Sequence, residues 1–540
     1  MSTNFDLLIR NGTIYDGSGS PSFIGDVAVN GQHVVSVGNL GNVSAEKVID
    51  AGGLAVAPGF INVMSWAPIS LLVDGRSQSD IRQGVTLEVF GEAWSEGPLN
   101  EEMKKRVVAE QTDIKYNVTW TTLGQFLEQL EAHGVSTNIA SYVGATTLRI
   151  HAIGYDDRPP SPQELDLMRK LTAQAMEEGA LGVSTALIYP PGSYARTDEI
   201  IELAKVAARY NGIYISHMRS EGNALLEAVD ELIHITRTAN CWAEIYHLKT
   251  MGKPNWTKLD GLIQKVETAR AAGLHITADM YTYLAGAAGL GATMPPWVQE
   301  GGQEAWVNRL KDPSVRQRVK AEMLAPTNQW ENMFLMCGSP ENMLLIGFNT
   351  EALKPLTGKT LADICKTRGT DPVDTIIDLT IEDKGNIGTV YFSMSEDNIR
   401  RELKLPWVCL GSDAESAAPE GDFLKSSTHP RAYGCFSRFL GKYVRDEKVV
   451  PLAEAVRKIT SLPASNLKIE KRGSLKPGFF ADIAVFDPGK IQDHATFQNP
   501  FQYSTGMVHV FVNGKQVIQD GEHTNARPGM FVRGPGYKNQ

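Results

Sequence analysis

Ile213-Tyr-Ile-Ser-His217, Glu244-Ile-Tyr-His247 and Ile276-Thr-Ala-Asp279 are short apolar runs that each end on an ionisable side chain, the ends lying 30 and then 32 residues apart. A strand, its crossover helix and two turns need about 30 residues. The spacing therefore predicts successive βα units, with all three side chains delivered to the carboxyl edge of one parallel sheet. Working outward, comparable runs stand at 56–66, 85–91, 139–144, 180–185, 212–217, 242–247, 274–279 and 407–413. Between them, 162–178, 197–210, 224–239 and 258–272 carry charges on one side and Leu, Ile, Val or Ala on the other, the helical pattern. Eight strands alternating with helices predict an α/β chain folded as a closed (β/α)8 TIM barrel, with 285–405 as a large excursion from it. An open doubly wound sheet is the alternative, but no G-x-G-x-x-G or P-loop follows any strand.

The two ends of the chain resemble each other and differ from the middle. Residues 6–10, 13–16, 26–29 and 33–37 read as short β segments, with Asn11-Gly12 and Asn30-Gly31 placed as hairpin turns. Residues 482–486, 508–512 and 516–518, with Asn513-Gly514 between the last two, repeat the style. Both sets have edges to cover, so one small sheet domain built from the two termini is the simplest arrangement, against two unrelated extensions. The expected division is 1–57 and 471–540 for this terminal β domain and 58–470 for the barrel with its insertion.

The chain has 540 residues, 42% hydrophobic and 21% charged, ample for a large core. Fifty-two Lys and Arg against 62 Asp and Glu give a net charge of −10, with no block of five like charges, which argues against a nucleic-acid or anionic-membrane partner. Five scattered cysteines without C-x-x-C speak against a disulfide framework or a zinc ribbon and fit a reducing, cytoplasmic location. Met1-Ser-Thr-Asn-Phe-Asp6 has no basic n-region before an apolar core, so no secretory signal is expected. Residues 51–73 carry no charge and are long enough to span a bilayer. They are punctuated by Gly52, Gly53, Pro58, Gly59, Asn62, Ser65, Pro68 and Ser70, and read as loop plus buried strand. A homo-oligomer is compatible with all of this.

Candidate chemistry collects at the strand ends. His217, His247 and Asp279 close three successive strands, Asp413 follows Val408-Cys-Leu410, and Glu92 stands just past Glu88-Val-Phe-Gly91. Two histidines with two or three carboxylates on one rim can hold a divalent metal and leave a base to spare. A lone strand-end histidine is more often a satisfied core residue; the shared position in successive units makes the pair a ligand candidate. Asp413 could equally be an ordinary strand-end cap.

At this point the whole chain resembles the amidohydrolase superfamily, and within it the N-acyl-D-amino-acid deacylase (D-aminoacylase) group. The matching residues are Gly12-Thr-Ile-Tyr-Asp-Gly17, Pro58-Gly-Phe-Ile61, Gly84-Val-Thr86, Gly182-Val-Ser-Thr185, His217-Met-Arg-Ser-Glu-Gly222, His247-Leu-Lys249, Ala278-Asp279 with Tyr281 and Tyr283, Gly411-Ser-Asp413, His429-Pro-Arg431 with Gly434, and Gly473-Ser-Leu-Lys-Pro-Gly478 before Ala481-Asp482. The resemblance implies a metal-dependent barrel with a β-sandwich from the chain ends. It also exposes a departure. Members carry His-x-His after the first strand, where this chain reads Asn62-Val-Met64-Ser-Trp66. Met is a poor ligand for a borderline dication and Trp offers only an N–H donor, so half of the usual two-metal platform is missing. No lysine on the fourth strand can form a carbamate bridge.

The resemblance then implies one Zn2+ held by His217, His247 and a residue after the second strand, commonly Cys in the group. Glu92 is the candidate here and Glu96 the fallback. Such a metal lowers the pKa of bound water to roughly 7 and supplies hydroxide to attack an amide carbonyl. Asp413 would take the proton and return it to the leaving nitrogen, and Tyr189 could help polarise the carbonyl. Lys249 and Tyr281 are implied beside a substrate carboxylate, with which Arg431 could pair bidentately; His429 and Arg431 could instead fasten the last loop. Trp66 and Trp94 put aromatic area where members keep ligands, favouring a bulkier or more apolar substrate. Three classes of function stay open. The leading one is a zinc hydrolase of N-acyl-(D-)amino acids or another small molecule bearing an amide and a carboxylate. The second acts on a different amide, lactam or ester, or runs a non-hydrolytic reaction. The third is a metal-poor binding protein, which has no evident need for Asp413, two histidines and Lys249 together.

Overall fold

The computed structural model describes residues 4–538. The first three residues of the segment read for a secretory signal, and the last two of the second terminal segment, lie outside the described residues. The parallel strands fall close to the predicted runs: Phe60–Asn62, Val85–Phe90, Asn138–Ser141 continued by Val143–Gly144, Gly182–Ala186, Ile213–His217, Trp242–Ile245, Ile276–Met280 and Val408–Leu410. They pair in parallel register as one three-stranded and one six-stranded sheet. Hydrogen bonds bridge the sheets on both sides. Tyr142 N–H donates to the Phe90 carbonyl at 3.0 Å, while Asp413 N–H donates to Met64 and Trp66 N–H to Ala414, each at 2.9 Å. The strands are buried on both faces, as parallel strands covered by helices must be.

The crossover helices also match their pattern: Pro162–Glu177, Thr197–Arg209, Leu225–Ala239 and Leu259–Ala271. The first begins where Ser161 and Glu164 form a reciprocal cap ahead of Pro162, and the third ends on Asn240 in the left-handed region. The excursion at 285–405 contains a four-stranded antiparallel sheet, Ala285–Gly289, Gly388–Phe392, Met343–Gly347 and Lys359–Thr360. Helices pack on it around a separate apolar cluster that includes Leu345, Ile376 and Tyr391.

The chain ends do share one sheet, of nine strands. Ile483–Phe486 from the second terminus lies antiparallel to Ala55–Pro58 from the first, which in turn lies beside Asn4–Ile14. Two local readings need correction. The single run predicted at 56–66 is two strands in different sheets, because the chain turns at Pro58-Gly59, where a Cβ on Gly59 would stand 2.1 Å from Thr86 Oγ1. Asn11-Gly12 is no hairpin turn but a bulge inside Asn4–Ile14. Asn11 sits there at φ +59°, its N–H donating to Asp26 and its side chain to Asp50. Asn30-Gly31 and Asn513-Gly514 do stand between paired strands. No helix among the described residues is long and apolar enough to cross a membrane.

Candidate metal centre and active site

Glu92 is placed by a clipped loop. Beyond Val85–Phe90 the chain passes Gly91 at φ +95° and Ala93 at φ +58°. Ser184, on the strand Gly182–Ala186, donates its hydroxyl to the Gly91 carbonyl and accepts from Ala93 N–H. Held so, Glu92 Oε1 lies 2.9 Å from His217 Nδ1 and 3.2 Å from His247 Nε2, and the three side chains are buried. His247 takes a left-handed backbone, φ +34°, and its N–H donates to Asp279 Oδ1 at 2.9 Å. Asp279, predicted on the rim, therefore supports that turn. The ligand atoms of Glu92, His217 and His247 fall within 4.8 Å of one another, a grouping that could hold a metal ion. One carboxylate with two imidazoles is a donor set suited to zinc and similar dications. Glu96 is outside this group.

Behind the histidines stands Glu221, which sequence reasoning passed over although it is four residues beyond His217. Its Oε1 lies 2.9 Å from His247 Nδ1 and 2.9 Å from Lys249 Nζ. A carboxylate behind a ligand imidazole fixes the ring's orientation and raises its basicity. Burial pushes both carboxyls up, but the imidazoles hold Glu92, and His217, Lys249 and His247 hold Glu221, well below the usual range. Burial and Lys249 pull His247 down, yet Glu221 and Glu92 outweigh them and raise it to about 10.

Across the cavity, Asp413 is also in the left-handed region, φ +52°. Its Oδ2 lies 2.7 Å from Arg431 Nη1 and its Oδ1 accepts from Trp66 Nε1 at 3.1 Å. Burial pushes the Asp413 carboxyl up, opposed first by Arg431. The Tyr281 ring lies under both cations, 4.6 Å from the Arg431 guanidinium carbon and 5.5 Å from Lys249 Nζ, and burial raises its hydroxyl to about 12. Tyr189 stands edge-on to His217, ring centroids 5.2 Å apart. His429 does fasten the loop, its Nε2 2.9 Å from the Ala285 carbonyl and its Nδ1 accepting from Arg431 N–H. All eight predicted site residues, Glu92, Tyr189, His217, His247, Lys249, Tyr281, Asp413 and Arg431, line one cavity of about 600 Å³. Trp94, Trp306, Trp330 and Met294 line the same cavity, together with polar residues such as Arg106 and Gln303.

Comparison with known proteins agrees with this picture. The amidohydrolase family profile matches residues 349–518. D-aminoacylase of Alcaligenes xylosoxydans xylosoxydans is 32% identical, covering 98% of this chain and 98% of its own. N-acyl-D-glutamate deacylase of the same organism is 30% identical, covering 99% and 97%. The crystal structure of N-acyl-D-glutamate deacylase from Bordetella bronchiseptica, complexed with zinc and a phosphonate inhibitor, superposes with a TM-score of 0.80 at 28% identity over 98% of this chain and 100% of that one. An α/β fold with an acid and two histidines clustered in a deep cavity defines the class, a hydrolase acting on amide C–N bonds. The chain belongs to the amidohydrolase family, in its D-aminoacylase group.

Proposed function

We propose that the protein is an N-acyl-D-amino-acid deacylase working with a single zinc ion on a (β/α)8 barrel. The observation that carries the reading is the buried Glu92–His217–His247 cluster sharing a cavity with Asp413. The parallel strands bridged on both sides support barrel closure, and the mixed terminal sheet supports a sandwich of 1–57 and 471–540 beside a barrel of 58–470. Five free cysteines support the cytoplasmic reading.

Glu92, His217 and His247 would hold the ion, which when bound supplies Lewis acidity and lowers the pKa of a coordinated water. The chain's own residues do the rest. Asp413 accepts the proton of the attacking water on Oδ1, and the water oxygen bonds to the amide carbon. As the C–N bond breaks, Asp413 delivers that proton to the departing nitrogen and returns to carboxylate. Tyr189 donates to the developing oxyanion. Arg431 Nε and the Tyr281 hydroxyl are buried without a hydrogen-bond partner, which supports their use, with Lys249, on the substrate carboxylate.

Metal content of the purified protein, chelator treatment and a panel of N-acyl D- and L-amino acids test the reading. Loss of turnover with chelator, its return with zinc and a preference for D substrates are expected. A protein that holds no ion and is indifferent to chelator, or one that hydrolyses only L substrates, would overturn it.

A further inference from the structure

The first-strand departure leaves two positions to explain, and the structure treats them differently. Met64 is 2% exposed, its side chain part of an apolar cluster with Ile61, Val63, Leu87 and Cys409. Trp66 is 42% exposed and lines the cavity. It is therefore no core filler, yet its indole N–H is fully engaged. Nε1 lies 3.1 Å from Glu92 Oε2 and 3.1 Å from Asp413 Oδ1. Glu92 thus divides its oxygens, Oε1 toward the two histidines and Oε2 toward Trp66.

Two carboxylates that converge on one point repel each other unless a positive charge or a donor stands between them. A second cation would do this by taking Glu92 Oε2 and Asp413 Oδ1 as ligands. Here the indole N–H satisfies both oxygens, and the compensating charge comes from Arg431, 2.7 Å from Asp413 Oδ2. An indole nitrogen is a donor only and cannot bind a metal. We propose that Trp66 and Arg431 stand in for a second metal ion, closing that position while holding Glu92 toward a single ion and Asp413 toward the substrate. Trp66 is on this view a positioning residue. The inference rests on the one-metal reading above and specifies how the chain enforces it.

The test is zinc stoichiometry, measured on protein stripped with chelator, reloaded in excess zinc and passed through gel filtration. The wild-type chain is expected to retain one ion. Trp66→His, which offers an imidazole beside the same two oxygens, is expected to retain two. Trp66→Phe keeps ring bulk but loses the donor. It should retain one ion and lose about tenfold or more in kcat with KM little changed, as befits a lost hydrogen bond to charged partners. A wild-type chain that holds two ions, or a folded Trp66→His variant that stays at one, would overturn the proposal while leaving a metal hydrolase standing. A full kcat in Trp66→Phe would do the same to the positioning role. A wild-type chain that holds none would overturn the functional reading, and this inference with it.

Discussion

Asp413 carries the proton in the proposed reaction, and its surroundings set what a substitution must do. Asn has the same shape and keeps one oxygen to accept from Trp66 Nε1, but it gives up the charge that faces Arg431 and cannot take a proton from water. Asp413→Asn is therefore expected to lower kcat by about 10²–10⁴-fold, the usual worth of general acid–base catalysis, while elemental analysis finds the zinc content unchanged. Loss of the metal instead would make Asp413 a ligand. Arg431 makes a different case, because its guanidinium has several donors. Nη1 is ion-paired with Asp413, and neither Nη1 nor Nε makes a hydrogen bond. Arg431→Lys keeps a charge for Asp413 but gives up the fork that a carboxylate fits. Its KM for an N-acyl amino acid is expected to rise about tenfold, the worth of one charged hydrogen bond. An N-acyl amine without a carboxylate should show no such change, and equal losses on both substrates would remove Arg431 from substrate binding.

The loop that presents Glu92 depends on close packing between strand ends. A Cβ at Gly144 would come within 2.0 Å of the Ala93 carbonyl oxygen, so the residue after Glu92 sits where only glycine leaves room. Gly144→Ala must push that loop outward. It is expected to weaken zinc retention about 10–100-fold, the range seen when supporting partners of a metal site are disturbed, measured by competition with a chromophoric chelator. How much of this could be read from the sequence follows from which forces are local. The strands leading to His217 and His247 and the helices between them announce themselves, since apolar runs and helical periodicity are properties of neighbouring residues. The same spacing put both imidazoles on one rim, with Glu92 beside them. The break at Pro58-Gly59 was hidden because the partners that change across it, Asp482 before and Gly84 after, and the Thr86 side chain that leaves room only for glycine, are distant in the chain. Asn11-Gly12 has the composition of a turn but became a bulge through contacts to Asp26 and Asp50. Glu221 was missed for a related reason. It lies beyond a strand end, where no periodicity says which way a side chain turns, and only His247 and Lys249 show its purpose.

Stability of the chain should depend on pH through buried acids whose neighbouring cations do not outweigh the cost of burial. Glu402, on the helix Glu396–Lys404, is 1% exposed, and neither carboxyl oxygen has a hydrogen-bond partner. Burial, only partly offset by Lys249 and Arg401, raises its carboxyl from 4.5 to about 8. Glu331 is likewise raised to about 8, and Glu88 and Glu244 to about 7, each chiefly by burial. A folded pKa above the unfolded one means that the native state binds more protons between the two values. The stabilising contribution is then complete below about 4.5 and is lost as pH rises through about 8. The ionised carboxylates Glu92 and Glu221 have the opposite sign and protect the fold on the alkaline side of their titration. Glu402→Gln isolates one buried acid, since the amide stays neutral throughout. Relative to wild type, the variant should gain stability as pH increases, the gap widening by about 2–3 kcal/mol between pH 6 and pH 9. Urea unfolding at the two pH values, with zinc held in excess, measures it. A gap that stays constant would mean that Glu402 is ionised in the folded chain at pH 6 and finds compensation that burial alone does not provide.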